Sequence, residues 1–86
     1  MSDVDRPLLS PPDKLSLWPV EGGRFGLDAT FSGAFGREYA REHRTAMRAA
    51  GLKASLRRDG NDTWTLRMGP LTADAARVSV EAFLGL

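Results

Sequence analysis

Arg37, Arg41, Arg44 and Arg48 recur at steps of four, three and four. At 100° per residue this puts four guanidinium groups on one stripe of a helix. Arg57 and Arg58 follow a short way on. Guanidinium groups at successive turns suit phosphates or an acidic protein surface, because each offers a rigid fork of N–H donors. Like charges at i,i+4 repel unless an anion relieves them; Glu38 and Glu42, on the adjoining face, are candidates to relieve part of it. Arginine is also a good helix former and keeps an exposed face soluble. The sequence leaves both uses of the stripe open.

Catalysis needs convergent acid, base or nucleophilic groups, and few are present. The single histidine, His43, falls on the apolar side of the arginine helix, where a core or boundary role is expected. One histidine and no cysteine make a zinc centre improbable and exclude disulfides. Asp59 and Asp62 share a hairpin tip, which turn chemistry explains better than calcium binding. Gly33-Ala34-Phe35-Gly36 precedes a helix and could present backbone N–H groups to an anion. It lacks the Lys and Ser/Thr of a P-loop and the basic residues of a nucleic-acid-clamping loop. The expectation is a protein that is not an enzyme and uses no cofactor.

The arginines need a helix from about Gly36 to Ala50. Its apolar side is Tyr39, Ala40, His43, Ala46, Met47 and Ala50, and Gly51 ends it. Lys14–Val20 reads as a short strand, demoted to an edge by Pro19. Trp18, its largest hydrophobe, is expected to cover the core margin. Gly22-Gly23 signals a tight turn. Residues 24–31 then alternate, with Phe25, Leu27, Ala29 and Phe31 on the core face and Gly26, Asp28 and Thr30 on the other. Placing the aromatics on the core face argues against base stacking by this strand. Leu52–Arg57 and Trp64–Met68 form two further strands joined by a hairpin at Asp59-Gly60-Asn61-Asp62. Gly69-Pro70-Leu71-Thr72 turns into a last helix, capped by Thr72, whose inner face is Ala76, Ser79, Val80 and Phe83. The order ββαββα predicts an α+β, ferredoxin-like two-layer sandwich, a four-stranded antiparallel sheet with two helices on one face. Its open face would carry Asp28, Thr30, Lys53, Ser55, Arg57, Thr65 and Arg67, a second candidate binding surface.

With 86 residues the chain is one domain at most. Residues 1–13, rich in proline, are expected to be a disordered lead, and 14–86 the α+β domain. A hydrophobic fraction of 42% suits a globular domain. No secretory h-region and no membrane-length apolar run is visible, so a soluble, cytoplasmic protein is expected. The net charge of +1 hides a segregation. Residues 29–58 hold seven bases against two acids, while the segments on either side each balance to −2. Such a local field attracts anionic partners.

The two halves echo each other. Residues 32–41 align without gaps on residues 68–77, with a glycine, a bulky residue two later and an Ala-Arg pair in register. The helices both run into Gly-Leu (Gly51-Leu52, Gly85-Leu86). Leu66-Arg67-Met68-Gly69-Pro70-Leu71 with Ala76, and Gly33-Ala34-Phe35 with Ala40 and Gly51-Leu52-Lys53-Ala54-Ser55-Leu56, resemble the two halves of the sporulation-related repeat (SPOR) domain. The resemblance covers roughly residues 25–84. Phe31 stands where that family has glutamine, and the alternation before Gly33 is out of phase by one. The strand at Lys14–Val20 could fill the slot of the family's last strand. The resemblance implies a ferredoxin-like fold, and, as a functional expectation, binding of peptide-stripped peptidoglycan glycan on the sheet face in an exported protein.

Together these features predict a small non-catalytic binding or adaptor protein. It would dock on a macromolecular partner, foremost a protein, through the arginine helix or the open sheet face. A stand-alone domain of this type fits a regulator or inhibitor, such as one encoded by a phage or mobile element. The candidate binding residues are Arg37, Arg41, Arg44, Arg48, Arg57 and Arg58. Nucleic acid is the second expected partner, peptidoglycan glycan the third, and no membrane is expected. The edge at Lys14–Val20 leaves room for a homodimer.

Overall fold

The computed structural model describes residues 11–85. The disordered lead expected for residues 1–13 therefore lies largely outside the described residues, although Asp13 itself is anchored. Its carboxylate accepts from the Ser32 backbone N–H (2.7 Å) and hydroxyl (2.8 Å), and its own N–H donates to the Thr30 carbonyl.

Four strands and two helices follow in the expected order. They are β1 (Lys14–Val20), β2 (Arg24–Ser32), α1 (Gly36–Ala49), β3 (Ala54–Gly60), β4 (Thr63–Leu71) and α2 (Ala73–Leu84), with a 3₁₀ turn at Glu21–Gly23 between β1 and β2. One antiparallel sheet has the order β1-β2-β4-β3, so the two β-strands of clearest alternation, β2 and β4, lie in its middle. This is the α+β sandwich of ferredoxin-like type. β1 takes the edge beside β2.

Strand parity sorts the residues. Leu27, Ala29 and Phe31 of β2 and Leu66 and Met68 of β4 turn toward the helices and are buried with Ala40, Met47, Ala54, Leu71, Ala76 and Phe83. Helix α1 ends in a pair of backbone bonds, Gly51 N–H to the Arg48 carbonyl and Leu52 N–H to the Met47 carbonyl, with Gly51 at φ +87°. This reversal consumes the Leu52 N–H, so β3 begins at Ala54 rather than Leu52, and Lys53 stands outside the strand. Thr72 caps α2 as expected, accepting from the Ala75 N–H at 3.1 Å. The small residues Ala75, Ala76 and Ser79 let α2 lie close on the sheet.

Three expectations need correction. Trp18 does not cover the core margin. It shares parity with Lys14 and Ser16, so Leu15 and Leu17 take the helix side and the indole lies on the open face over Gly26. Ala46 and Ala50 are exposed. The buried arc of α1 is Gly36, Ala40, His43 and Met47, and α2 reaches α1 where Phe83 meets His43, leaving the Ala46 flank uncovered. Finally, Gly69-Pro70-Leu71 is strand, not turn. β4 continues across an irregularity in its pairing with β2, between Phe25 and Leu27, and re-pairs at Leu71 with Phe25. A bulge of this type tolerates proline's missing N–H.

Candidate docking surface

The stripe on α1 becomes a ridge because of what lies beside it. The helix buries Ala40, His43 and Met47 downward, which turns its arginine flank toward β3 at the sheet edge. Arg48 Nε donates to the Ala54 carbonyl at the start of β3 (3.1 Å). At the other end, the Arg37 guanidinium lies 5.8 Å from the centre of the Trp64 ring on β4. Arg58 pairs across the sheet with Trp64 and so shares the helix side, its Nε donating to the Gly60 carbonyl (3.2 Å). Arg37, Arg41 and Arg48 are exposed and Arg44 is half-buried. The structure thus gathers five of the six candidate residues (Arg37, Arg41, Arg44, Arg48 and Arg58) on one side. From Arg37 to Arg48 the ridge runs about 16 Å at the helical rise of about 1.5 Å per residue.

Arg57 does not belong to it. Strand parity sends it to the opposite face, opposite Thr65, where it pairs with Asp59 at 3.5 Å. Two adjacent residues of one strand cannot share a face, so the charge count of residues 29–58 overstates the patch by this residue.

The ridge differs from the other arginine clusters in its electrostatics. Arg67 holds Asp28 with two bonds of 2.9 Å, and Arg77 bridges Asp74 and Glu81. These carboxylates push both guanidinium groups above their ordinary range, first through hydrogen bonds. Among the described residues, no carboxylate lies within 4.0 Å of Arg37, Arg41, Arg44, Arg48 or Arg58.

The open sheet face is largely self-neutralised. Asp28–Arg67 and Arg57–Asp59 are internal pairs, and Thr65 donates to Asp59 at 3.1 Å. At one end of that face a shallow cleft of about 510 Å³ opens between Trp18, Arg24, Met68 and Pro70. Sequence reasoning misses it by expecting Trp18 at the core margin. The glycine pattern held the signal: only a residue without Cβ at 26 leaves room for a ring across the strand pair. The Arg67 guanidinium sits 5.3 Å from the centre of the Trp18 ring.

The loop before α1 spends two of its N–H groups within the chain. The Gly33 N–H already donates to the Asp62 carbonyl and the Gly36 N–H to the Gly33 carbonyl. The recess there is lined by Glu38 and Asp62 as well as by Arg37 and Arg58, so its charges balance. His43 is buried at 3% exposure between the rings of Phe31 (5.1 Å) and Phe83 (4.9 Å). Among the described residues, no group of three or more His, Asp or Glu side chains could hold a metal ion, and no helix is long and apolar enough to cross a membrane. No protein-family model, no curated protein and no solved structure matches the chain.

Proposed function

We propose that this is a non-catalytic cytoplasmic binding protein that docks on an acidic protein surface through the ridge of Arg37, Arg41, Arg44, Arg48 and Arg58. One observation carries the reading: these five guanidinium groups share one side and have no carboxylate partner among the described residues. Trp64 of β4, beside Arg37, and the half-buried Leu56 of β3 give the aromatic and apolar contacts that accompany arginine at protein interfaces. An adaptor or inhibitor built this way would gain rapid encounter from its field and specificity from the fixed spacing of its donors.

Nucleic acid is the second reading, favoured by the regular spacing along α1. It is weaker because the ridge is narrow. Glu38 and Glu42 border it on the helix and Asp62 at the hairpin, and a duplex long enough to use five arginines would bring phosphates against them. Glycan binding on the sheet face finds less support still, since the Trp18 indole is flanked by Gly26 and the Arg67 guanidinium.

Titrating the protein with poly-L-glutamate and with a DNA duplex, followed by tryptophan fluorescence, separates the first two. Saturable binding of poly-L-glutamate with weaker binding of the duplex supports the acidic-protein reading. A duplex affinity that falls by about 10³ between about 50 and 200 mM salt would instead mean several phosphate contacts. No binding of either probe at the lower salt overturns the ridge as a docking site.

A further inference from the structure

The two edges of the sheet are unlike. β3 is guarded by Arg57, Arg58 and Asp59, and Arg48 occupies its first carbonyl. Charges of this sort block edge-to-edge pairing. β1 has no such guard: Leu15-Ser16-Leu17-Trp18 carries no charge between Lys14 and Glu21. Among the described residues nothing pairs with its outer side.

The helix layer also stops short of β1. α2 packs on β2 and β4, so Leu17 remains 50% exposed. A groove of about 370 Å³ runs between β1 and α2, floored by Leu17 and Phe25 and walled by Ala73 and Val80. Leu84, 54% exposed, falls on the same flank of α2. Backbone edge and apolar strip therefore lie side by side.

We propose that this edge pairs with a second copy of the chain, β1 against β1 and antiparallel, with the two-fold axis at Ser16. Residues opposite each other in an antiparallel pair share a face, so only registers centred on a single residue are compatible with both helix layers on one side. A centre at Leu17 would set Asp13 against Glu21 and Leu15 against Pro19. A centre at Ser16 sets Leu15 of each copy against Leu17 of the other. It keeps Pro19, which has no N–H to give, outside the central pairs. Each groove then receives the apolar strip of the other copy. Arg77 and Glu81 on the rim present both signs, so the two α2 helices meet without a like-charge face. The pairing is isologous, as a two-fold dimer requires. It yields an eight-stranded sheet with the arginine ridges at its far ends, about 34 Å apart at about 4.8 Å per strand.

The test uses the intact chain. Light scattering after size exclusion should show a dimer that forms as concentration rises from micromolar to millimolar. The chain has no cysteine, so Ser16→Cys introduces a single thiol at the axis. Directly opposed Cα atoms are about 4.5–5.5 Å apart, inside the disulfide range of about 4.4–6.8 Å. Ser16→Cys should cross-link under air many times faster than Thr45→Cys, on the exposed face of α1, at equal concentration. Leu17→Lys should leave a folded monomer. A chain that stays monomeric into the millimolar range, or Ser16→Cys cross-linking no faster than Thr45→Cys, overturns the proposal.

Discussion

Replacing Gly26 by alanine should destabilise the domain, and it should do so only while Trp18 is present. Gly26 has an ordinary φ, so alanine can take its backbone conformation. A Cβ there would lie 2.5 Å from Trp18 Cζ2, 2.6 Å from Cε2 and 2.9 Å from Nε1. Ordinary contact begins near 3.4 Å, so the indole must withdraw by about 1 Å, away from the sheet. Overpacking of this size costs about 1–3 kcal/mol. Alanine in a strand recovers about 0.5–1 kcal/mol of backbone entropy. The net loss should be about 1–2 kcal/mol, or a fall in Tm of about 5–15 °C for a domain of this size. Urea unfolding of four proteins completes the cycle: wild type, Gly26→Ala, Trp18→Ala and the double variant. In the Trp18→Ala background, Gly26→Ala should be neutral or stabilising. Equal effects in both backgrounds would refute the placement of Trp18 over Gly26, because independent sites add.

Other consequences are simpler. Phe83 is 1% exposed and packs on His43; Phe83→Ala should cost about 3–5 kcal/mol, enough to leave the chain largely unfolded at 37 °C by circular dichroism. Thr72→Ala should cost about 1 kcal/mol by losing the bond to the Ala75 N–H, while Thr72→Ser keeps most of it, as urea midpoints will report. Gly69 sits at φ +134°, with its Cβ position 2.9 Å from the Phe25 carbonyl oxygen. Gly69→Ala should lower Tm by several degrees, since neither the backbone nor that carbonyl can yield cheaply.

Much of the fold was legible because its signals are local. The alternation of Phe25, Leu27, Ala29 and Phe31 marks β2, Gly51 marks the end of α1, and Thr72 marks the start of α2. What escaped depends on partners distant in sequence. Trp18 goes to the open face because Gly26, across the strand pair, leaves space there. Pro70 can stand in β4 because β2 shifts register opposite it. Ala46 and Ala50 look like core on a helical wheel, yet α2 does not extend over that flank. The ridge was legible as four arginines on one stripe. Arg58 joins it and Arg57 leaves it through strand parity alone. That the five lack carboxylate partners among the described residues, while Arg57, Arg67 and Arg77 have them, could not be read from spacing, since Glu38 and Glu42 are as near in sequence as any true partner.

The most direct test of the ridge compares poly-L-glutamate binding by the wild type, by Arg37→Gln/Arg41→Gln and by Arg57→Gln at low salt. Exposed ion pairs contribute up to about 1 kcal/mol each. Losing two should therefore weaken binding by about tenfold, while Arg57→Gln, on the opposite face, should bind as the wild type does. Equal affinities for wild type and Arg37→Gln/Arg41→Gln, or a loss confined to Arg57→Gln, would contradict the account.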